Sequence, residues 1–254
     1  MPSHFSRSIR LRGLLAACAA MAALALPAGH AAGEPSAALA RVADTFADRI
    51  NAAYARVPQN RRSEAVLIPA LIGMDEPPPV LLQRADRAAL ILPTSPVWSA
   101  ANQWAMQPGQ RAALDALAEA TQETNPRRAM VFALPYGISG VPTEWIRAEM
   151  HAELGDPPTL ASRQLGYMER FNWLRLLASI ETTRLQDAGE PVEAIRLNQS
   201  LAALGRQLAG RAFGVEVFWG YITMIDALTR IRDVVYVDLK AGASLTAEDL
   251  LEVV

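Results

Sequence analysis

Cysteine occurs once in the 254 residues, at Cys18, and histidine three times, at His4, His30 and His151. Lysine also occurs once, at Lys240, so arginine carries almost all of the positive charge. A lone cysteine forms no disulfide within the chain. A structural zinc site needs several Cys or His ligands, and these are missing. There is no G-x-x-x-x-G-K-[ST] loop, and no G-x-G-x-x-G after a strand, so no phosphate cradle is expected. No cofactor and no metal is expected, and no motif identifies a family.

Hydrolytic motifs are equally thin. The best-placed serine is Ser139, in Gly137-Ile138-Ser139-Gly140. Its second glycine comes one residue early for a nucleophile elbow. Only His151 is left to serve as its base after the N-terminal segment is set aside. Glu149, His151 and Glu153 form the densest group of ligand-capable residues. On a regular helix His151 points away from the two glutamates, so the group reads as a solvated face.

What is present begins at the N-terminus. Arg7, Arg10 and Arg12 form a basic region without acids, followed by an apolar run from Leu14 to Leu26 and small residues through Ala32. That order is a secretory signal, with cleavage expected after Ala31. The apolar part is too short to span a membrane comfortably. Leu15-Ala16-Ala17-Cys18 resembles a lipobox, which makes lipidation of Cys18 the minor alternative. Its apolar lead is shorter than the roughly 7–15 residues that signals use. Removing residues 1–31 leaves 21 basic against 26 acidic residues, a net charge near −5. A chain of that balance is not expected to bind nucleic acid, which needs a basic patch.

The organising stretch is about 160–235. A first helix is expected from Leu160 to Asp187, capped by Thr159 and stopped by Gly189 and Pro191. It is apolar nearly all round between Phe171 and Ile180 and therefore buried. A second helix, Val192 to Phe213, carries Leu197, Leu201, Leu204 and Leu208 on one face. Ala202, Gly205 and Ala209 beside them permit close approach of another helix. A third helix, Val215 to Val235, places Glu216, Thr223, Asp226, Arg230 and Asp233 on one narrow wet stripe. The rest is apolar, and Asp226 is expected to pair with Arg230. Its longest uncharged run, between Glu216 and Asp226, is too short for a membrane span.

Upstream, Ser36 caps an amphipathic helix from Ala37 to Val57. Residues 65–73 and 88–92 read equally as strand or helix. Helices follow from Ser95 to Met106, from Gly109 to Thr121 and from Thr143 to Leu154. Met130 to Leu134 reads as a strand. Thr246 caps a last short helix.

The expected fold is mainly α: a multi-helix, bundle-like domain around the three-helix unit, with one or two short strands between 65 and 135. The signal occupies 1–31 and a single helical domain 32–254, divisible into 32–140 and 141–254. Trp98, Trp104, Trp145, Trp173 and Trp219 are read as core aromatics, not a glycan platform. The weak catalytic candidates are Glu169, Glu216 and Asp226, the sole plausible carboxylates for acid–base work. The functional expectation is an exported, non-enzymatic binding or scaffolding domain of a bacterial envelope, with a protein or other envelope partner. An envelope hydrolase using a carboxylate pair is the alternative. A cleft joining Glu169 to Glu216 or Asp226 favours the enzyme, and an apolar surface patch favours the binder.

Overall fold

The apolar stretch around Phe171–Ile180 becomes the central helix. A computed structural model describes residues 48–123, 125, 127–154, 164–242 and 244–253, all within one compact unit, Ala38–Val254. The expected signal segment with Cys18 and the expected caps at Ser36 and Thr159 lie outside the described residues. Ten α-helices are described: α1 (residues 48–55), α2 (Glu64–Ile72), α3 (Pro79–Leu82), α4 (Trp98–Ala105), α5 (Pro108–Thr121), α6 (Thr143–Arg147), α7 (Tyr167–Asp187), α8 (Pro191–Ala209), α9 (Gly214–Ala241) and α10 (Ala247–Val253).

Helices α7, α8 and α9 are the three-helix unit. Phe171, Leu174, Leu177 and Ile180 of α7 are fully buried, as are Leu204 and Leu208 of α8. One core joins α7 to α2, α4, α5 and the segment from Phe132 to Tyr136. Four tryptophans, Trp104, Trp145, Trp173 and Trp219, are buried in it, and Trp98 packs on it half-buried. The indole N–H groups of Trp104 and Trp219 donate to Asp75 O (3.0 Å) and Asn172 Oδ1 (2.8 Å).

The ambiguous segments resolve as helix. Residues 64–72 form α2 despite Pro69, whose missing N–H would have bonded Ala65 O. Ala65 and Pro69 are both exposed, so water reaches the orphan carbonyl. Ala85–Leu90 is a 3-10 helix. Met130–Leu134 is extended, with a single parallel bridge from Val131 to Arg62 and no strand ladder. Arg61 takes up Ala129 O through two nitrogens, and Ala133 N–H donates to buried Glu64 Oε2 at 2.8 Å, so side chains replace a partner strand.

One expected helix is cut short. It ends at Arg147 rather than Leu154, because Glu149 takes a left-handed φ of 58°. Gly166 lies against this turn, where a Cβ would stand 1.8 Å from Glu149 O. The chain then forms a two-residue antiparallel hairpin, β1 (Ala152–Glu153) with β2 (Gln164–Leu165).

The third long helix also differs from expectation. Glu216 and Thr223, read as a wet stripe, are fully buried. The expected Asp226–Arg230 pair does not form. Asp226 pairs with Arg175 of α7, and Arg230 Nη2 donates to Thr183 Oγ1 at 2.9 Å. Asp226 and Arg230 thus reach across to α7, while α9 packs mainly against α8. Apart from Trp219, most of the large apolar residues of α9 are left outside.

Candidate functional site

Among the three candidate carboxylates, Glu216 has the most developed surroundings. A turn at 210–213 separates α8 from α9, Gly214 opens α9, and Glu216 is its third residue. There it accepts from Phe213 N–H at 3.4 Å, so a negative charge sits at the positive end of a long helix. Tyr136 OH donates to its Oε2 at 2.5 Å, and Tyr167 OH donates to Oε1. Arg211 Nε donates to Oε1 at 2.8 Å, and Ala212 N–H donates to Tyr136 OH at 3.0 Å.

The Arg211 guanidinium lies 4.3 Å from the ring centres of both Tyr54 and Tyr136. It also donates to Phe132 O at 3.4 Å. Asn51 of α1 grips the backbone of Tyr136 with both ends of its amide, each at 2.8 Å. One carboxylate thus ties together the starts of α7 and α9, the extended segment and, through Tyr136, α1.

Its electrostatics follow from burial. Desolvation pushes the Tyr136 and Tyr167 phenols far above their ordinary value, and the Glu216 carboxylate adds to it. They therefore stay protonated donors. Burial works against the Arg211 charge, but the phenolic oxygens and Glu216 outweigh it and hold its pKa above the ordinary guanidinium value. Arg211, Glu216, Tyr136 and Tyr167 are each at most 4% exposed, so no substrate reaches them in this conformation. Their chemistry is that of a buried ion pair with satisfied oxygens.

The other two carboxylates stand elsewhere. Glu169 is exposed on the first turn of α7. Asp226 is exposed ten residues beyond Glu216 on α9, about 15 Å along the helix. Carboxylate pairs that hydrolyse glycosides stand roughly 5–9.5 Å apart. The structure therefore does not bring Glu216 and Asp226 together for acid–base work. Ser139 is exposed on the turn between Gly137 and Gly140, and no hydrogen bond joins it to His151. No group of three metal-ligating side chains occurs among the described residues, and no described helix is long and apolar enough to cross a membrane.

Asp226 does line an open groove of about 530 Å³ between α7 and α9, with Asn172, Arg175, Ser179, Arg230 and Asp233. Burial lowers the Arg230 pKa, and Asp233 partly offsets this. A second groove, about 810 Å³, is bordered by Arg111, Glu181, Arg184, Glu193 and Arg196. There Glu181 accepts from Arg184 and pairs with Arg111 at 2.7 Å. Both grooves hold charges that already neutralise one another.

The outward side of α9 is different in kind. Phe218, Tyr221, Ile225, Leu228, Tyr236 and Leu239 are 55–62% exposed. Glu216, Trp219, Gly220, Thr223, Ala227 and Val234 are the residues α9 buries. At about 100° per residue the exposed six fall on one stripe opposite the buried six. Sequence reading found the apolar spacing of this helix but placed it inside. The usable signal was the series Gly220, Thr223, Ala227, whose small side chains mark the side that meets α8. Compared with protein-family models, with curated proteins and with solved structures, the chain has no match.

Proposed function

We propose that the protein is a binding or scaffolding domain, exported to a bacterial envelope, that works through the outward stripe of α9. The observation that carries this reading is the exposure of six large apolar side chains on one helical face. Three aromatics of some 150–250 Å² each and three aliphatic side chains, all more than half exposed, leave roughly 600 Å² of apolar surface in water. That is at the upper end of what folded monomers expose, and such patches mark interaction sites. The export half of the proposal rests on Arg7, Arg10 and Arg12 ahead of Leu14–Leu26.

A photo-reactive residue at position 228 tests the face, with position 115 on α5 as the control. An adduct formed in cells from 228 and not from 115 supports the reading. No adduct from 228, with the fold intact, overturns it. Mass spectrometry of the cell-made chain tests export. The expected N-terminus is near Ala32, and a diacylated Cys18 would replace the free protein by an anchored one.

A further inference from the structure

We infer that the occupant of the α9 stripe is a second copy of this chain, docked antiparallel across a two-fold axis near Asp226 and Ala227. This rests on the binding reading above and names its partner. The spacing Phe218, Tyr221, Ile225, Leu228, Arg232 alternates three and four residues, the pattern of a helix–helix seam. Val235 and Leu239 continue it with Tyr236 beside them, so the stripe runs about 32 Å along the helix. Two such stripes closing on each other remove roughly 1,200 Å² from water, the lower end of what specific interfaces bury.

The orientation follows from charge. Arg232, its side chain 73% exposed, is the one ionised residue within the stripe. A parallel pair sets Arg232 beside its own copy, and like charges meet in an apolar seam. An antiparallel pair that sets Ile225 against Leu228 of the second copy places Tyr221 against the second copy's Arg232. There the guanidinium meets a ring face, which attracts it. Phe218 then meets Val235, and the contact reads the same from either copy, as a two-fold interface requires.

The flanks agree. One flank of the stripe holds Val217, Met224 and Ile231, half-buried and apolar. The other holds Asp226, Asp233 and Lys240 together with Val215, Ile222 and Thr229. Antiparallel docking sets each flank against its like, so the apolar flanks close and the charged flanks stay wet. Asp226 and Asp233 enter that contact already paired, with Arg175 and Arg232. A parallel pair would press the charged flank against the apolar one.

Sedimentation equilibrium of the cell-made chain, at micromolar concentration, should give twice the monomer mass that mass spectrometry reads for it. Leu228→Glu should return the monomer mass with an unchanged circular dichroism spectrum. In a Cys18→Ser background, Tyr221→Cys and Arg232→Cys should form an oxidised dimer when the two variants are mixed, and little when either is alone. A monomeric wild-type chain overturns the inference, as does efficient self-linking of Tyr221→Cys, which requires a parallel pair. If the wild type is monomeric but position 228 links to a different protein, the second copy is refuted and the binding reading stands. Pelleting of the monomer with phosphatidylglycerol vesicles, abolished by Leu228→Glu, refutes it in favour of a lipid surface. A monomer with no adduct and no vesicle binding refutes both.

Discussion

The two sides of α9 reverse the usual distribution of residues. Inward, beside Trp219 and Val234, lie a carboxylate, a threonine, a glycine and an alanine. Outward lie two tyrosines, a phenylalanine, an isoleucine and two leucines. Burial on this helix is therefore decided by fit against α8 and α7 as much as by hydrophobicity. The inward side needs small residues because α8 comes so close. A Cβ on Gly220 would stand 2.4 Å from Gly205 O, and one on Gly205 would stand 2.7 Å from Gly220 O. The outward side meets nothing in the described chain, and its apolar groups stay in water.

The comparison predicts that polar substitutions inside cost far more than apolar losses outside. Removing one partner of a buried ion pair leaves the other charge uncompensated, typically at about 3–5 kcal/mol. Arg211→Ala and Glu216→Ala should each fall in that range in urea unfolding, because neither residue has water as a substitute partner. A loss under about 1 kcal/mol, the range of a single ordinary hydrogen bond, would mean that the inward carboxylate is dispensable. The contrast between the faces would then fail.

Next in size is the close approach itself. A glycine inside a helix costs roughly 1 kcal/mol relative to alanine, so Gly205 and Gly220 must be offset by contact. Gly205→Leu and Gly220→Leu should each destabilise by about 1–3 kcal/mol through overpacking. Gly205 meets backbone on one side and the flexible Met224 side chain on the other. Gly220 meets the backbone of both Gly205 and Ala209, so it should be the costlier of the two. A raised urea midpoint for Gly205→Leu would detach α8 from α9 in this account.

The parts of this that sequence reading reached are those with strong contrast. Leu201, Leu204 and Leu208 stand out against a charged opposite face, and their burial was legible. Gly205 among alanines announced a close neighbour. Helix α9 offered no such contrast, since apolar residues surround it nearly completely and periodicity cannot say which arc faces in. The Arg211–Glu216 centre was less legible still. Glu216 was read as a wet residue, and its phenolic partners Tyr136 and Tyr167 lie 80 and 49 residues away in the chain. The turn at Glu149 was hidden because it depends on Gly166, seventeen residues later, letting a backbone approach.

Two further inward carboxylates sharpen the comparison by their opposite response to acid. Burial works against the Glu181 charge, but hydrogen bonds from Arg184 and Arg111 outweigh it and hold its pKa below 4.5. Its contribution is therefore present above about pH 4.5 and lost as pH falls through the lower folded value. Burial pushes Glu64 above 4.5, against the Ala133 N–H and Arg62. Its contribution is present below about pH 4.5 and lost as pH rises through the folded value. Urea midpoints across the acid range should show Glu181→Gln flattening the acid limb. Glu64→Gln, which keeps an acceptor for Ala133, should hold its midpoint better as pH rises. Identical pH profiles for the two variants would remove the distinction.

The smallest effect is expected outside. Leu228→Ser removes an apolar side chain that is 61% exposed, and surface changes usually stay within about 0.5 kcal/mol. In dilute protein the variant should therefore melt with the wild type. Association changes this at higher concentration, because a partner that binds the folded state stabilises it by mass action. The wild-type midpoint should then rise with protein concentration, and the Leu228→Ser midpoint should not. A wild-type midpoint independent of concentration breaks the assignment of the outward face to a second copy. A large loss in the dilute variant breaks the comparison itself. It would mean that the outward side chains hold the fold together, and that the small residues on the inward side are not sufficient to seat α9.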